Sequence, residues 1–182
     1  LWGRFVAPVF SFFTHKNMDK KEFLSQLLPE QGYCAIVTID NGMTRHYWFA
    51  EDKLDDAVLT ASDLCYRESN VYFACAKYKD STSRTQINTL AFKSFWVDLD
   101  CGESKPYLTQ DEGLAALDTF LKVSGLPRPA IVNSGNGYHC YWVLDESINY
   151  NLWKPTANAL KAACVKHGLR GDMGITSDSA RV

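Results

Sequence analysis

Hydrophobic and polar positions along this chain follow two rhythms, one helical and one alternating, and the changes between them place the elements. In KNMDKKEFLSQLLPE, Phe23, Leu24, Leu27 and Leu28 fall on one helical face before Pro29, which predicts a helix that stops there. The runs YCAIVTID and TRHYWFA flank Asn41-Gly42, a pair that accepts the positive φ angles of a tight turn, so a β-hairpin follows. From Glu51 to about Arg67 the apolar residues Leu54, Ala57, Val58, Ala61, Leu64 and Cys65 recur at helical spacing. NVYFACAKY then reads as one strand, and the polar stretch KDSTSRTQINTL, near residues 79 to 92, marks an internal joint.

The second half predicts a strand over 94–100, a helix over about 110–123, a strand over 129–133, a glycine-rich turn, a strand over 138–144 and a helix over about 150–167. That β-α-β-β-α order is one strand short of the βαββαβ pattern of ferredoxin-like and RNA-recognition-motif-like folds. The expectation is an α+β protein of one domain. An N-terminal α/β module, residues 1–90, packs on an RNA-recognition-motif-like half, residues 91–182, whose last strand is cut short near Arg181-Val182.

Composition narrows the possibilities. With 182 residues, 46% of them apolar and 13% aromatic, the chain can bury a substantial core. Nineteen basic residues against 21 acidic leave a net charge of −2, so a polyanion must be met by local charge, since the whole chain offers no attraction. The six cysteines stand singly, without the C-x-x-C spacing of a zinc site or redox pair, and read as reduced core residues of a cytoplasmic protein. No signal peptide, no N-x-S/T sequon and no apolar run of ~18 residues is present, which predicts no membrane partner.

Candidate chemistry begins in FWVDLDCG. Side chains alternate along a strand, so Phe95, Val97 and Leu99 face one way, and Trp96, Asp98 and Asp100 the other. The two carboxylates lie roughly 6–7 Å apart at the usual rise, a spacing that can grip divalent ions ~3.5–4 Å apart. A lone D-x-D also ends many strands at solvent, so the pair gains meaning only from what accompanies it. In IVNSGNGYHCYWVL, Ser134-Gly135-Asn136-Gly137 reads as a hairpin turn. A hairpin does not call for His139, which starts the return strand on the face of Tyr141 and Val143, beside turn N–H groups suited to phosphate. In HGLRGDMGITSDSARV, Asp172 offers a third acidic ligand and Arg181 a cation for a triphosphate; the plainer account is a polar loop with Asp172 or Asp178 capping turns.

Together these stretches resemble the archaeo-eukaryotic primase superfamily, whose pattern is an apolar strand ending in D-x-D, a small-x-His motif preceded by S-G, and a D-x-x-V-T-x-D-x-x-R-type stretch. They stand here in that order as Asp98-Leu99-Asp100, Ser134 to His139, and Asp172 to Arg181. Asp100-Cys101-Gly102-Glu103-Ser104-Lys105 matches the D-x-G-x-x-K of primases from phages and mobile elements. The resemblance implies a primase or primase-polymerase catalytic domain in DNA replication, a metal-dependent nucleotidyltransferase that uses NTPs or dNTPs on a single-stranded DNA template. Asp98, Asp100 and Asp172 would hold two Mg2+ or Mn2+ ions, with no zinc. Ser134, Gly135, Gly137, His139, Lys105 and Arg181 would bind the nucleotide, and a helicase domain or partner would follow downstream.

Lys77, Lys79, Arg84 and Lys93 are candidate template contacts by their nearness in sequence to the D-x-D strand. The chain departs from the pattern in a short Ser-to-His interval without basic residues, and in ending before the family's L-R-x-P-G-T-like strand. Three other readings stand beside this one. An RNA-recognition-motif-like module would bind single strands or nucleotides without metal. A Tyr nuclease would want paired histidines, which His15, His46, His139 and His167 do not supply. A relative could also capture nucleotide without polymerising.

Overall fold

The computed structural model describes residues 19–67 and 70–180. The Phe- and Val-rich opening stretch, Arg181 and the expected start of a last strand at Arg181-Val182 lie outside the described residues. These divide into two compact units, one of residues 94–145 and 153–178, the other of 19–67, 70–93, 146–152 and 179–180.

In the second of these, α1 (Lys20–Leu27) is capped by the Asp19 carboxylate, which accepts from the Glu22 N–H at 2.8 Å. It stops at Leu28, whose extended backbone is what a residue before proline prefers. The strands β1 (Cys34–Asp40), β2 (Met43–Phe49) and β3 (Val71–Phe73) form an antiparallel sheet in the order β2-β1-β3. The expected hairpin closes through Asn41 at φ 50° and Gly42 at φ 77°, the two positive angles a two-residue turn requires. Helix α2 (Leu54–Tyr66) lays Ala57 against Leu24, Leu28, Cys34 and Ile36 to make the core of this unit.

NVYFACAKY does not form the single strand its composition predicts. It breaks into β3 and β4 (Ala76–Tyr78), which belong to different sheets. Ala74 and Cys75, the two residues between them, are both buried. The Ala74 N–H still pairs with the Ala35 carbonyl at 3.0 Å, after which β4 pairs with residues 89–92 of β5 (Thr89–Asp100).

The other unit holds the rest of β5, then α3 (Gln110–Ser124), β6 (Ala130–Asn133), and most of β7 (Gly137–Ile148) and of α4 (Tyr150–Lys166), the expected β-α-β-β-α order. Its strands run β5-β7-β6, with β6 and β7 antiparallel from Ala130↔Tyr141 to Asn133↔Tyr138. Thr109 caps α3 by accepting from the Glu112 N–H, while the Glu112 carboxylate reaches back to the Leu108 N–H at 2.8 Å. Gly125, at φ 71°, ends the helix. Val97, Leu99, Leu117, Phe120, Cys140, Trp153 and Cys164 are buried between sheet and helices, and the Trp153 indole N–H donates to the Ser94 carbonyl at 3.1 Å.

Five of the six cysteines are buried as expected, and burial pushes the thiols of Cys75, Cys140 and Cys164 up to about 12. Cys65 departs from the expectation: it is exposed near the end of α2. Among the described residues no helix is long and apolar enough to cross a membrane. The packing predicts that Phe120→Ala costs about 3–5 kcal/mol, whereas Val123→Ala, on the exposed side of α3, stays within about 0.5 kcal/mol. Urea unfolding of both variants checks the contrast.

Candidate active site

The end of β5 and the residue after it are the meeting point of three chain segments. The Asp172 N–H donates to the Asp98 carbonyl at 3.2 Å, and the Cys101 N–H to the Asn136 carbonyl at 2.8 Å. Glycines make both approaches possible. A Cβ on Gly171 would stand 2.3 Å from the Asp98 carbonyl oxygen, and a Cβ on Gly137 2.0 Å from that of Leu99. Neither distance tolerates a side chain, because the opposing atom is backbone. Trp96, on the strand face of Asp98 and Asp100, donates its indole N–H to the Ile175 carbonyl at 2.9 Å, which holds segment 171–177 over that face.

The three sequence-predicted carboxylates are thus brought into electrostatic contact. Asp98 is held above the usual carboxylate range, first by burial, then by the charges of Asp100 and Asp172, with His139 and Lys105 pulling the other way. Each carboxylate has a nitrogen partner. His139 Nε2 lies 3.6 Å from Asp98 Oδ1, and Lys105 Nζ lies 2.9 Å from Asp100 Oδ2. Asp172 Oδ1 accepts from the Gly174 N–H at 3.0 Å.

Hard carboxylate oxygens are the donors Mg2+ and Mn2+ prefer, and the mutual repulsion at Asp98 is what a divalent ion relieves. The donor chemistry fits such an ion. The arrangement is not a finished cage, however. Among the described residues no group of three His, Cys, Asp or Glu side chains stands ready to hold a metal.

The turn before His139 uses two of its own N–H groups internally. The Ser134 N–H donates to the Gly137 carbonyl at 3.0 Å and the Gly135 N–H to Asn133 Oδ1 at 2.8 Å, so these two donors serve the turn itself. Ser134 and Gly135 are exposed, Gly137 is buried, and His139 is half-buried, edge-on to Tyr141 with ring centroids 6.4 Å apart. Arg181 lies outside the described residues.

Two residues went unnoticed in the sequence. Gln110, the first residue of α3, clamps the turn: its Nε2 donates to the Gly135 carbonyl at 2.9 Å, and its Oε1 accepts from Asn133 Nδ2 at 3.0 Å and Tyr138 Oη at 3.2 Å. No spacing rule points to it. Tyr107 is buried between β5 and α3; its carbonyl accepts from the Gly102 N–H at 2.9 Å and its hydroxyl from the Arg170 N–H at 2.8 Å. The Arg170 guanidinium lies 5.0 Å over the Tyr107 ring. Tyr107 therefore ties the loop after Asp100 to the loop before Asp172. An aromatic residue inside the polar run GESKPYLT is the signal that would have found it.

Of the basic residues considered for template contact, Lys77 is corrected by the structure. It is buried, and its ammonium donates to the Gly32 carbonyl at 3.1 Å, a contact internal to its own unit. Lys79 donates to the Ile87 carbonyl and Arg84 to that of Ala180.

No protein-family model matches the chain, and no curated protein matches its sequence. Among solved structures, the chain is similar to the archaeo-eukaryotic primase (AEP) domain of the cyanophage S-2L primase-polymerase. The TM-score is 0.58 at 17% identity, over 87% of this chain and 75% of that one. The likeness is one of fold, an α+β fold of the archaeo-eukaryotic primase kind.

Two outcomes follow from the geometry. Gly137→Ala and Gly171→Ala each force backbone apart at the site and are expected to destabilise by about 1–3 kcal/mol, as overpacking does; chemical unfolding reads this. Asp98 has a folded-state pKa above its unfolded one, so its ionisation costs stability. That cost is absent below about pH 4 and present at neutral pH. Asp98→Asn should therefore melt above wild type at pH 7, with the difference vanishing near pH 3.5. A variant that melts lower at pH 7 would contradict the assignment.

Proposed function

We propose that this chain is the catalytic part of a primase-polymerase of the archaeo-eukaryotic primase superfamily, of phage or mobile-element type. It joins NTPs or dNTPs on a single-stranded DNA template. The observation that carries this reading is the convergence of Asp98, Asp100 and Asp172 on one stretch of β5, with Lys105 and His139 beside them. The β-α-β-β-α order and the likeness of fold to a phage primase-polymerase domain support it. The RNA-recognition-motif-like description of the half that holds the site belongs to this proposal, as do a downstream helicase and a cytoplasmic setting.

Asp98, Asp100 and Asp172 would hold two Mg2+ or Mn2+ ions. When bound, such ions activate the primer 3′-hydroxyl and neutralise the departing pyrophosphate. The protein's own groups do the rest. Lys105 would supply positive charge and His139 an imidazole N–H to phosphate oxygens, and Ser134 would add a hydroxyl from the turn. Arg181 would join them from the segment after Asp178. Gln110 clamps the turn and Tyr107 ties the other two loops together, which would hold these groups in place for a nucleotide. An acidic chain can take a polyanionic substrate this way, because the charge is matched locally.

A second reading, a module that binds nucleotide or single strands without chemistry, draws on one observation: every carboxylate of the site already has a nitrogen partner. The two separate in one assay. The chain is incubated with single-stranded DNA, labelled nucleotides and Mn2+ or Mg2+, beside an Asp98→Asn/Asp100→Asn double variant. The expected result is product longer than one nucleotide, reduced more than about a hundredfold in the variant, since direct ligands should exceed the 10–100-fold typical of their outer-shell partners. Binding without synthesis, equal in both proteins, would leave the second reading standing.

A further inference from the structure

Lys105 reaches the site by a tight return of the chain. Gly102 sits at φ 140°, the Lys105 N–H donates to the Gly102 carbonyl at 3.0 Å, and the side chain then folds back to Asp100. The ammonium lies 2.9 Å from Asp100 Oδ2 while the two side chains remain 48% and 35% exposed, so water can compete for both. Asp100 raises the lysine's pKa most, and Asp98 and Asp172 raise it further; all three carboxylates act on this one ammonium. Among the described residues no ready three-ligand metal group exists.

We propose that Lys105 is a placeholder cation: it neutralises the carboxylates before a divalent ion arrives and passes to a nucleotide phosphate when one does, so that metal and nucleotide load together. The inference rests on the metal-dependent reading above and adds an order of events to it. A divalent ion on Asp100 repels the ammonium from the oxygen it held. The lysine, a point charge on a flexible stem, then needs another anion, and the polyphosphate that accompanies the ion supplies one. Metal alone must displace Lys105 without that compensation, so it binds weakly. Metal with nucleotide turns the displacement into a new contact, and the coupling is reciprocal.

The test measures Mn2+ binding by the loss of free-ion electron paramagnetic resonance signal, with no nucleotide, in wild type, Lys105→Met, Lys105→Gln and Asp100→Asn. A non-hydrolysable deoxynucleoside triphosphate is then titrated calorimetrically at saturating Mn2+. Both lysine variants should bind Mn2+ alone about two- to fivefold more tightly, the range an exposed ion pair spans. They should bind the nucleotide on the order of tenfold more weakly, as the loss of a charge-assisted contact does. A merely structural lysine would not move these two affinities in opposite directions. Mn2+ affinity unchanged or weakened in both variants, with wild-type binding abolished by Asp100→Asn, would overturn the placeholder role and leave the metal site intact. No Asp100-dependent Mn2+ binding in wild type, with or without nucleotide, would overturn both.

Discussion

The site depends on backbone meeting backbone. The carbonyls of Asp98 and Leu99, near the end of β5, are approached by Gly171 and Gly137 so closely that neither position has room for a Cβ. These contacts are made by the main chain, so they are indifferent to what the neighbouring side chains do. Three carboxylates, a histidine and a lysine are carried in on segments whose spacing is set by van der Waals radii and hydrogen-bond lengths. Side chains held this way keep their placement when a ligand exchanges partners among them.

That rigidity holds together groups that would otherwise separate. Asp98 is half-shielded from water and faces two other carboxylates, an arrangement that raises its pKa and costs stability at neutral pH. His139 and Lys105 offset part of the cost, and Trp96, bonded to the Ile175 carbonyl, keeps the loop from swinging away. A chain selected for stability alone would not collect acidic residues on a strand whose other side packs Val97 and Leu99. Repulsion retained in a cluster of carboxylates is a common mark of function.

Much of this was legible in the residues, and the failures have physical causes. Alternation in FWVDLD put Asp98 and Asp100 on one face, and Asn41-Gly42 announced its hairpin because few dipeptides accept both positive φ angles. The helix ends fell within a residue or two of their expected places, as at Leu28 before Pro29 and at Gly125. Strand ends were underestimated: β5 begins at Thr89 and β7 runs to Ile148, because pairing with a neighbour extends a strand beyond its apolar run. The nearness of Asp172 to Asp98 depends on a contact between segments far apart in sequence, which no local pattern encodes; the likeness to a primase motif order supplied that expectation instead. Gln110 and Tyr107 were missed because a clamp made of one amide or one hydroxyl leaves no periodic trace. Lys77 was misjudged because nearness in sequence says nothing of which way a strand residue points.

The central claim, that Asp98, Asp100 and Asp172 surround one cation-binding volume, is tested most directly by anomalous diffraction from crystals of the chain grown with Mn2+ and a non-hydrolysable nucleoside triphosphate. The account predicts manganese peaks bounded by those three carboxylates, with the phosphates on the side of Lys105 and His139. Manganese bound elsewhere, or a nucleotide seated away from these carboxylates at saturating Mn2+, would contradict it.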